Sequence, residues 1–120
     1  MEGNLKGVKT DLKAVRSAVG EAIALKVIIE SAVFPDSLKS QAAQLVVAAG
    51  AEFVKTSTGL HPAGGASIQD VRLFKGVVQD QIQVKASGGI RNSGQALAMI
   101  QTGAVRIGTS SGVAILQGLP

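Results

Sequence analysis

The chain has no cysteine, no tryptophan and no tyrosine, and its 120 residues include a single histidine. Without cysteine there are no disulfides and no thiolate metal sites. One histidine with no neighbouring cluster gives the protein no ligand set for a metal site, so neither metal nor cofactor is expected. Three phenylalanines are the only aromatics, too few for a surface that reads nucleic acid by stacking bases. Long apolar runs are missing as well: Val27-Ile28-Ile29 and Leu45 to Ala49 fall far below a membrane span. Met1-Glu2-Gly3-Asn4 has no apolar stretch behind a basic start, so no cleaved signal is expected. These absences point to a soluble, cytoplasmic protein that engages neither membrane nor nucleic acid.

What is present is small and β-branched. Hydrophobic residues make up 46% of the chain, and Ala, Val, Ile and Gly must therefore do most of the packing, as suits helices lying closely on a parallel sheet. The length allows one domain, 1–120, with a modest core. The formal net charge is +4. It reads either as a solvated basic surface or as attraction for an anion, and the placement of the lysines has to decide.

Four segments read as strands: Ala24 to Glu30, Ala51 to Thr56, Ile82 to Ser87 and Ala104 to Thr109. Apolar residues recur between them at helical spacing, through Leu38, Ala42, Leu45, Val46 and Ala49, then Val71, Phe74, Val77 and Val78, then Ala96, Leu97 and Ile100. A leading helix carries Val8, Leu12, Val15 and Val19 on one face, and a short closing helix runs from about Ser111 through Leu116. The punctuation agrees. Pro35-Asp36-Ser37 suits a helix start, Ser67-Ile68-Gln69-Asp70 resembles a capping box with Asp in place of Glu, and Asn92 can cap the next helix. Gly20, Gly50 and Gly103 fall just past helix ends. Residues 49–59 faintly repeat at 102–112 as helix, glycine, strand and polar loop, the signature of β/α units. Four such units, connected right-handedly, make a (βα)4 half of a (β/α)8 TIM barrel, since a closed barrel needs eight and about 250 residues. Open edges on such a half invite a homodimer or another oligomer.

Alternation along the strands sorts the chemistry. Val27, Ile29, Val54, Val84, Val105 and Ile107 face the helices. Lys26, Glu30, Lys55, Lys85 and Arg106 face the barrel interior, near the C-terminal strand ends where barrels build active sites. Two inward lysines on neighbouring strands, Lys55 and Lys85, should lower one another's pKa, which makes a nucleophilic amine. The alternative is a pair of phosphate-binding or salt-bridged lysines. Gly88-Gly89 and Thr109-Ser110-Ser111-Gly112 present backbone N–H groups where barrels commonly hold phosphate. Ordinary turn chemistry favours the same residues.

The segments Phe53-Val54-Lys55-Thr56-Ser57-Thr58-Gly59, Val84-Lys85-Ala86-Ser87-Gly88-Gly89-Ile90-Arg91 and Arg106-Ile107-Gly108-Thr109-Ser110-Ser111, with Leu25-Lys26-Val27-Ile28-Ile29-Glu30, resemble the deoxyribose-phosphate aldolase family over nearly the whole chain. The resemblance implies a class I aldolase that cleaves 2-deoxyribose 5-phosphate to glyceraldehyde 3-phosphate and acetaldehyde without a metal. Lys55 matches the family's Schiff-base lysine and Lys85 the second lysine that keeps its pKa low. Thr56, Gly59, Gly88, Gly89, Arg91, Ser110 and Ser111 match substrate- and phosphate-binding positions, and Lys26 a position near the substrate. The likeness covers only strands five to eight of that barrel. Met1 to Gly7 resembles the loop after the fourth strand, and the proton-shuttling aspartate of that strand is absent. Glu30 and Asp70 are the candidate carboxylates to replace it, and His61 reads as a loop residue.

Overall fold

A computed structural model describes residues 4–120. Helix α1 (Leu5–Val19) leads, followed by strand β1 (Lys26–Ile28), a 3-10 turn (Ser31–Val33), α2 (Asp36–Ala48), β2 (Phe53–Lys55), α3 (Ile68–Val78), β3 (Gln83–Ser87), α4 (Ser93–Thr102), β4 (Ala104–Gly108) and α5 (Gly112–Gln117). The four strands form one parallel sheet in the order β1-β2-β3-β4. This is the expected α/β order, with strands shorter than the apolar runs suggested. Met1 to Gly3 lie outside the described residues. Leu5, Lys6 and Gly7 form the first turn of α1 rather than a loop, because the Asn4 side chain accepts a hydrogen bond from the Gly7 N–H at 2.9 Å and starts the helix there.

Register follows from alternation. Val27, Val54 and Val84 align on one face, and Ile28, Lys55 and Lys85 on the other. The first face is covered by Ala42, Ala43 and Val46 of α2, Val71, Phe74 and Val78 of α3, and Ala96 and Met99 of α4, all in one buried cluster. Alanines on α2 and α4 allow the close helix-to-sheet approach that the composition suggested. Two expectations need correction. Val105 does not face the helices and is 54% exposed. The register slips between Val84↔Ala104 and Lys85↔Arg106, so β4 carries an extra residue there, and such a bulge turns Val105 outward. On α4 the face is rotated: Met99 is buried, whereas Leu97 and Ile100 are exposed.

The helix starts are made as the sequence suggests, with one exception. Ser67 Oγ accepts from the Asp70 N–H at 3.0 Å and Asn92 Oδ1 from the Gln95 N–H at 2.9 Å. The Asp70 carboxylate does not reach back to close the box. It takes the Lys39 amine at 2.6 Å instead, joining α2 to α3. At the N-terminal side of the sheet, Arg16 ties α1 to the strands by bonding Glu52 at 2.6 and 2.8 Å, the Gly50 carbonyl at 3.0 Å and the Ile23 carbonyl at 2.6 Å. The opposite, C-terminal side is thereby left to the loops. No helix among the described residues is long and apolar enough to cross a membrane.

Candidate active site

Three loops leave the C-terminal ends of β2, β3 and β4. Between them lies a cleft of about 390 Å³, walled by Lys55 and Ser87 at the strand ends, by Thr58, Gly59 and Leu60, by Gly88 to Arg91, and by Gly108, Thr109 and Ser110. The structure brings Lys55, Gly59, Gly88, Gly89, Arg91 and Ser110 together here. The backbone N–H groups of Gly88, Gly89 and Ser110 have no hydrogen-bond partner among the described residues, so donors and an amine share one space.

The loops are held by close backbone approach. A Cβ placed on Gly65 would come within 2.6 Å of the Gly88 Cα, and the Ala66 N–H donates to the Gly88 carbonyl at 3.1 Å. The loop after β2 therefore rests directly on the turn after β3. Thr109 Oγ1 donates to the Ile90 carbonyl at 2.6 Å and joins the third loop. His61 is an exposed loop residue whose Nδ1 accepts from the Ala63 N–H.

Four expected site residues do not line the cleft. Thr56 is fully buried. Its Oγ1 accepts from the Ser87 N–H and donates to the Ser87 carbonyl, both at 3.1 Å, so the side chain is committed to the β2–β3 seam. Lys26 is level with Phe53 rather than with Lys55. Two residues of strand set it back by about 6.6 Å, and its Nζ sits 5.4 Å from the Phe53 ring centroid. Arg106 stacks on the same ring at 4.6 Å, so Phe53, which points inward, is covered by cations. Lys85 is beside Lys55 in register and runs past Gly108, where a Cβ would come within 3.3 Å of its Cε. Ser111 donates its N–H to Thr109 Oγ1 at 2.9 Å and begins α5.

The interior face is thus strongly basic. Lys26, Lys55, Lys85 and Arg106 form no ion pair among the described residues; the pairs lie elsewhere, at Arg16–Glu52, Lys39–Asp36, Lys39–Asp70 and Lys75–Asp80. Burial, then the charges of Lys26, Lys55 and Arg106, hold the Lys85 amine below the ordinary lysine value. The carboxylates expected to serve as acids are both engaged. Glu30, in a left-handed backbone conformation, accepts from the Thr58 N–H at 3.2 and 3.3 Å. Asp70 is buried against Lys39 on the helical side. Described residues contain no cluster of His, Cys, Asp and Glu fit for a metal ion.

Sequence reasoning missed Ser57, Ser87, Gly65 and Phe53. The serines carried a signal, since each follows an inward lysine by two positions, where a strand end meets its loop. Gly65 sat in the Ala63-Gly64-Gly65-Ala66 run and could have been read as a close-approach point.

Comparison with known proteins bears on the family and the fold. The family model described as DeoC/LacD family aldolase matches residues 4–118. The chain is 53% identical over 119 residues to a deoxyribose-phosphate aldolase of Kocuria rhizophila, covering 99% of this chain and 55% of that one. It is 50% identical to one of Carboxydothermus hydrogenoformans, covering 98% and 52%. Among solved structures, a tetrameric deoxyribose phosphate aldolase from Aeropyrum pernix superposes with a TM-score of 0.85 at 33% identity, covering 94% of this chain and 49% of that one. The chain spans about half the length of the curated relatives it matches, and its fold is half of their barrel.

Proposed function

The chain belongs to the DeoC/LacD aldolase family, and from that premise we propose that it carries the Schiff-base chemistry of a deoxyribose-phosphate aldolase, with Lys55 as nucleophile. The observation that carries this reading is that Lys55 lines the same cleft as Gly88, Gly89 and Ser110, whose N–H groups have no partner among the described residues. An amine at one end and backbone anion donors at the other suit a sugar phosphate with an aldehyde at its far carbon. The Lys55 amine adds to C1 of open-chain 2-deoxyribose 5-phosphate, and loss of water leaves an iminium. The C2–C3 bond then breaks, its electron pair passes into the iminium to give an enamine, the C3 hydroxyl gives up its proton, and glyceraldehyde 3-phosphate departs. Protonation of the enamine at C2 and hydrolysis of the imine return Lys55 and release acetaldehyde. The protonated imine is the electron sink, so this chemistry asks for no cofactor.

Lys85, level with Lys55 on the neighbouring strand, is the proton carrier in this proposal, and burial with the charges of Lys26, Lys55 and Arg106 holds its amine below the ordinary lysine value. The same shift favours a second reading in which Lys85 is itself the nucleophile. Borohydride trapping with deoxyribose 5-phosphate, read by intact mass and peptide mapping, separates them. An adduct on Lys55 that is lost in Lys55→Arg and kept in Lys85→Arg supports the first reading. An adduct mapped to Lys85 replaces it, and no adduct on either lysine of the folded chain removes the Schiff-base reading for this half alone.

Gly59 and Arg91, together with Ser110, complete the phosphate end in this proposal, with Lys26 and Ser111 outside direct contact. We read residues 1–120 as one domain, supported by the single buried cluster shared by strands and helices, and propose a cytoplasmic location as part of the same reading. A second copy covers the open face in this proposal, since β1 and β4 are each paired on one side only among the described residues. Each copy would bring Lys26, Lys55, Lys85 and Arg106 into a shared interior, so self-association should need an anion. Light scattering with and without inorganic phosphate tests this, and a monomer in both conditions rejects the homodimer.

A further inference from the structure

Thr56, Ser57 and Ser87 are buried between the ends of β2 and β3, and their hydroxyls are exchanged across the seam. The Ser87 carbonyl accepts two of them, from Thr56 at 3.1 Å and from Ser57 at 2.5 Å. In return, the Ser87 N–H donates to Thr56 Oγ1 at 3.1 Å and Ser87 Oγ donates to the Ser57 carbonyl at 2.7 Å. Simple cross-linking would need fewer bonds. The Thr56 N–H already donates to the Lys85 carbonyl at 3.1 Å, so the ladder is closed before either side chain takes part.

The doubled bond falls on one particular group. A trans peptide points its C=O and its N–H in opposite directions, and the Ser87–Gly88 peptide is trans. Holding the Ser87 carbonyl toward β2 therefore turns the Gly88 N–H away from β2 and toward the β4 loop, whose Gly108, Thr109 and Ser110 form one wall of the cleft. Gly88 lines that cleft and its N–H has no partner among the described residues. Gly88 itself is free to turn, with φ at +97°, and a glycine-rich turn has no side chain of its own to fix a peptide plane. The hydroxyls supply what the turn lacks. They also sit close enough to do so: a Cβ on Gly88 would come within 2.7 Å of Ser57 Oγ.

We propose that Thr56 and Ser57 are positioning residues whose buried hydroxyls hold the Ser87 carbonyl and thereby aim the Gly88 N–H at the anion of the substrate. The proposal rests on the anion-binding role given to the cleft above. It gives Thr56 a task its position allows, because a side chain sealed in the seam reaches the substrate only through the backbone it orients.

The test is titration of the whole chain with inorganic phosphate, followed by amide NMR, alongside urea unfolding. In the wild type the Gly88 amide should shift on adding phosphate. Ser57→Ala and Thr56→Val, both folded, should bind phosphate about tenfold more weakly, the loss expected for one hydrogen bond to a charged group, and the Gly88 response should fade. Thr56→Ser, which keeps the hydroxyl, should retain both. Val78→Ala, cut into the core far from the cleft, should lower the urea midpoint and leave phosphate affinity unchanged, which separates aiming from stability. Wild-type affinity and an unchanged Gly88 response in the folded hydroxyl variants overturn the proposal, as does a wild-type Gly88 amide that ignores phosphate. Should Ser57→Ala fail to fold, the Thr56→Val and Thr56→Ser pair decides. Loss of trapping at Lys55 with the Gly88 response intact sinks only the aldolase reading.

Discussion

Replacing Gly65 with alanine should do disproportionate damage, and the structure says how much. Gly65 has no unusual backbone angle to protect; what it lacks is room. The added methyl would sit 2.6 Å from the Gly88 Cα, well inside van der Waals contact, against backbone that no rotamer change can move. Separating the two loops costs about 1–3 kcal/mol as overpacking. It also stretches the Ala66 N–H to Gly88 carbonyl bond, worth about 1 kcal/mol. The sum is about 2–4 kcal/mol. With a urea slope of about 1–3 kcal/mol per molar for a chain of this size, the midpoint should fall by about 1 M or more. Gly76→Ala is the internal control: it lies within α3 with nothing within 4 Å of the new methyl. There the exchange should stabilise by about 0.5–1 kcal/mol through helix propensity. Equilibrium urea unfolding of the three proteins, at matched slope, measures both. If Gly65→Ala unfolds within 0.5 kcal/mol of wild type, the contact between the β2 and β3 loops does not hold the cleft together.

Asp70→Asn should cost about 3 kcal/mol, because the Lys39 side chain is only 11% exposed and keeps just the exposed Asp36, at 3.3 Å, as its charged partner among the described residues; a urea midpoint unchanged from wild type would refute the buried pair. Ser67→Ala should cost about 1 kcal/mol through loss of the α3 cap, and thermal unfolding checks it. Stability should pass through a maximum in alkali. Lys85, depressed by burial first and then by Lys26, Lys55 and Arg106, penalises folding while charged, and the penalty lifts as pH rises from its folded pKa to 10.5. On Lys39, burial opposes the charge but Asp70 and Asp36 outweigh it and raise the pKa, so its contribution is complete below 10.5 and is lost as pH rises through the folded value. Urea midpoints across this range should show Lys85→Met without the rise and with the fall; a rise that persists in the variant assigns it to another group.

Much of the fold was legible because two periodicities were clean. Each of Val27, Val54 and Val84 stands next to a lysine of the opposite face, Lys26, Lys55 and Lys85, and the register aligns the three valines. The helix starts at Ser67 and Asn92 announced themselves by a side chain that can accept from the third N–H along. Failures occurred where a single residue breaks the period. The extra residue at Val105 cannot be seen from apolar spacing, since a bulge is set by the pairing strand and not by the bulged one. On α4, Ala96, Leu97, Met99 and Ile100 are all apolar, so the sequence marks a helix without saying which side is covered. Only the packing shows that Ala96 and Met99 are the ones that join the buried cluster. Thr56 is a different lesson. Alternation places it opposite Lys55, away from the interior, and the structure agrees. Only the resemblance put it among the substrate-binding positions, and in the structure it is buried and forms no wall of the cleft.

The basic interior and the buried seam bear on each other. Lys26, Lys55, Lys85 and Arg106 repel one another on a face where no carboxylate of the described residues pairs with them, and that repulsion tends to part β2 from β3 and β3 from β4. Gathering charge of one sign destabilises a compact state. What opposes it on the helical side is the core from Val54 through Phe74 to Met99. At the strand ends, nearest the cleft, it is the four hydroxyl-borne bonds between Thr56, Ser57 and Ser87. Phe53 helps from within, because a ring face takes Lys26 and Arg106 without adding a counter-charge. A carboxylate in that place would relieve the strain but would also raise the Lys85 pKa and compete with an incoming anion. Neutral devices hold this face, and its positive charge is left for a ligand.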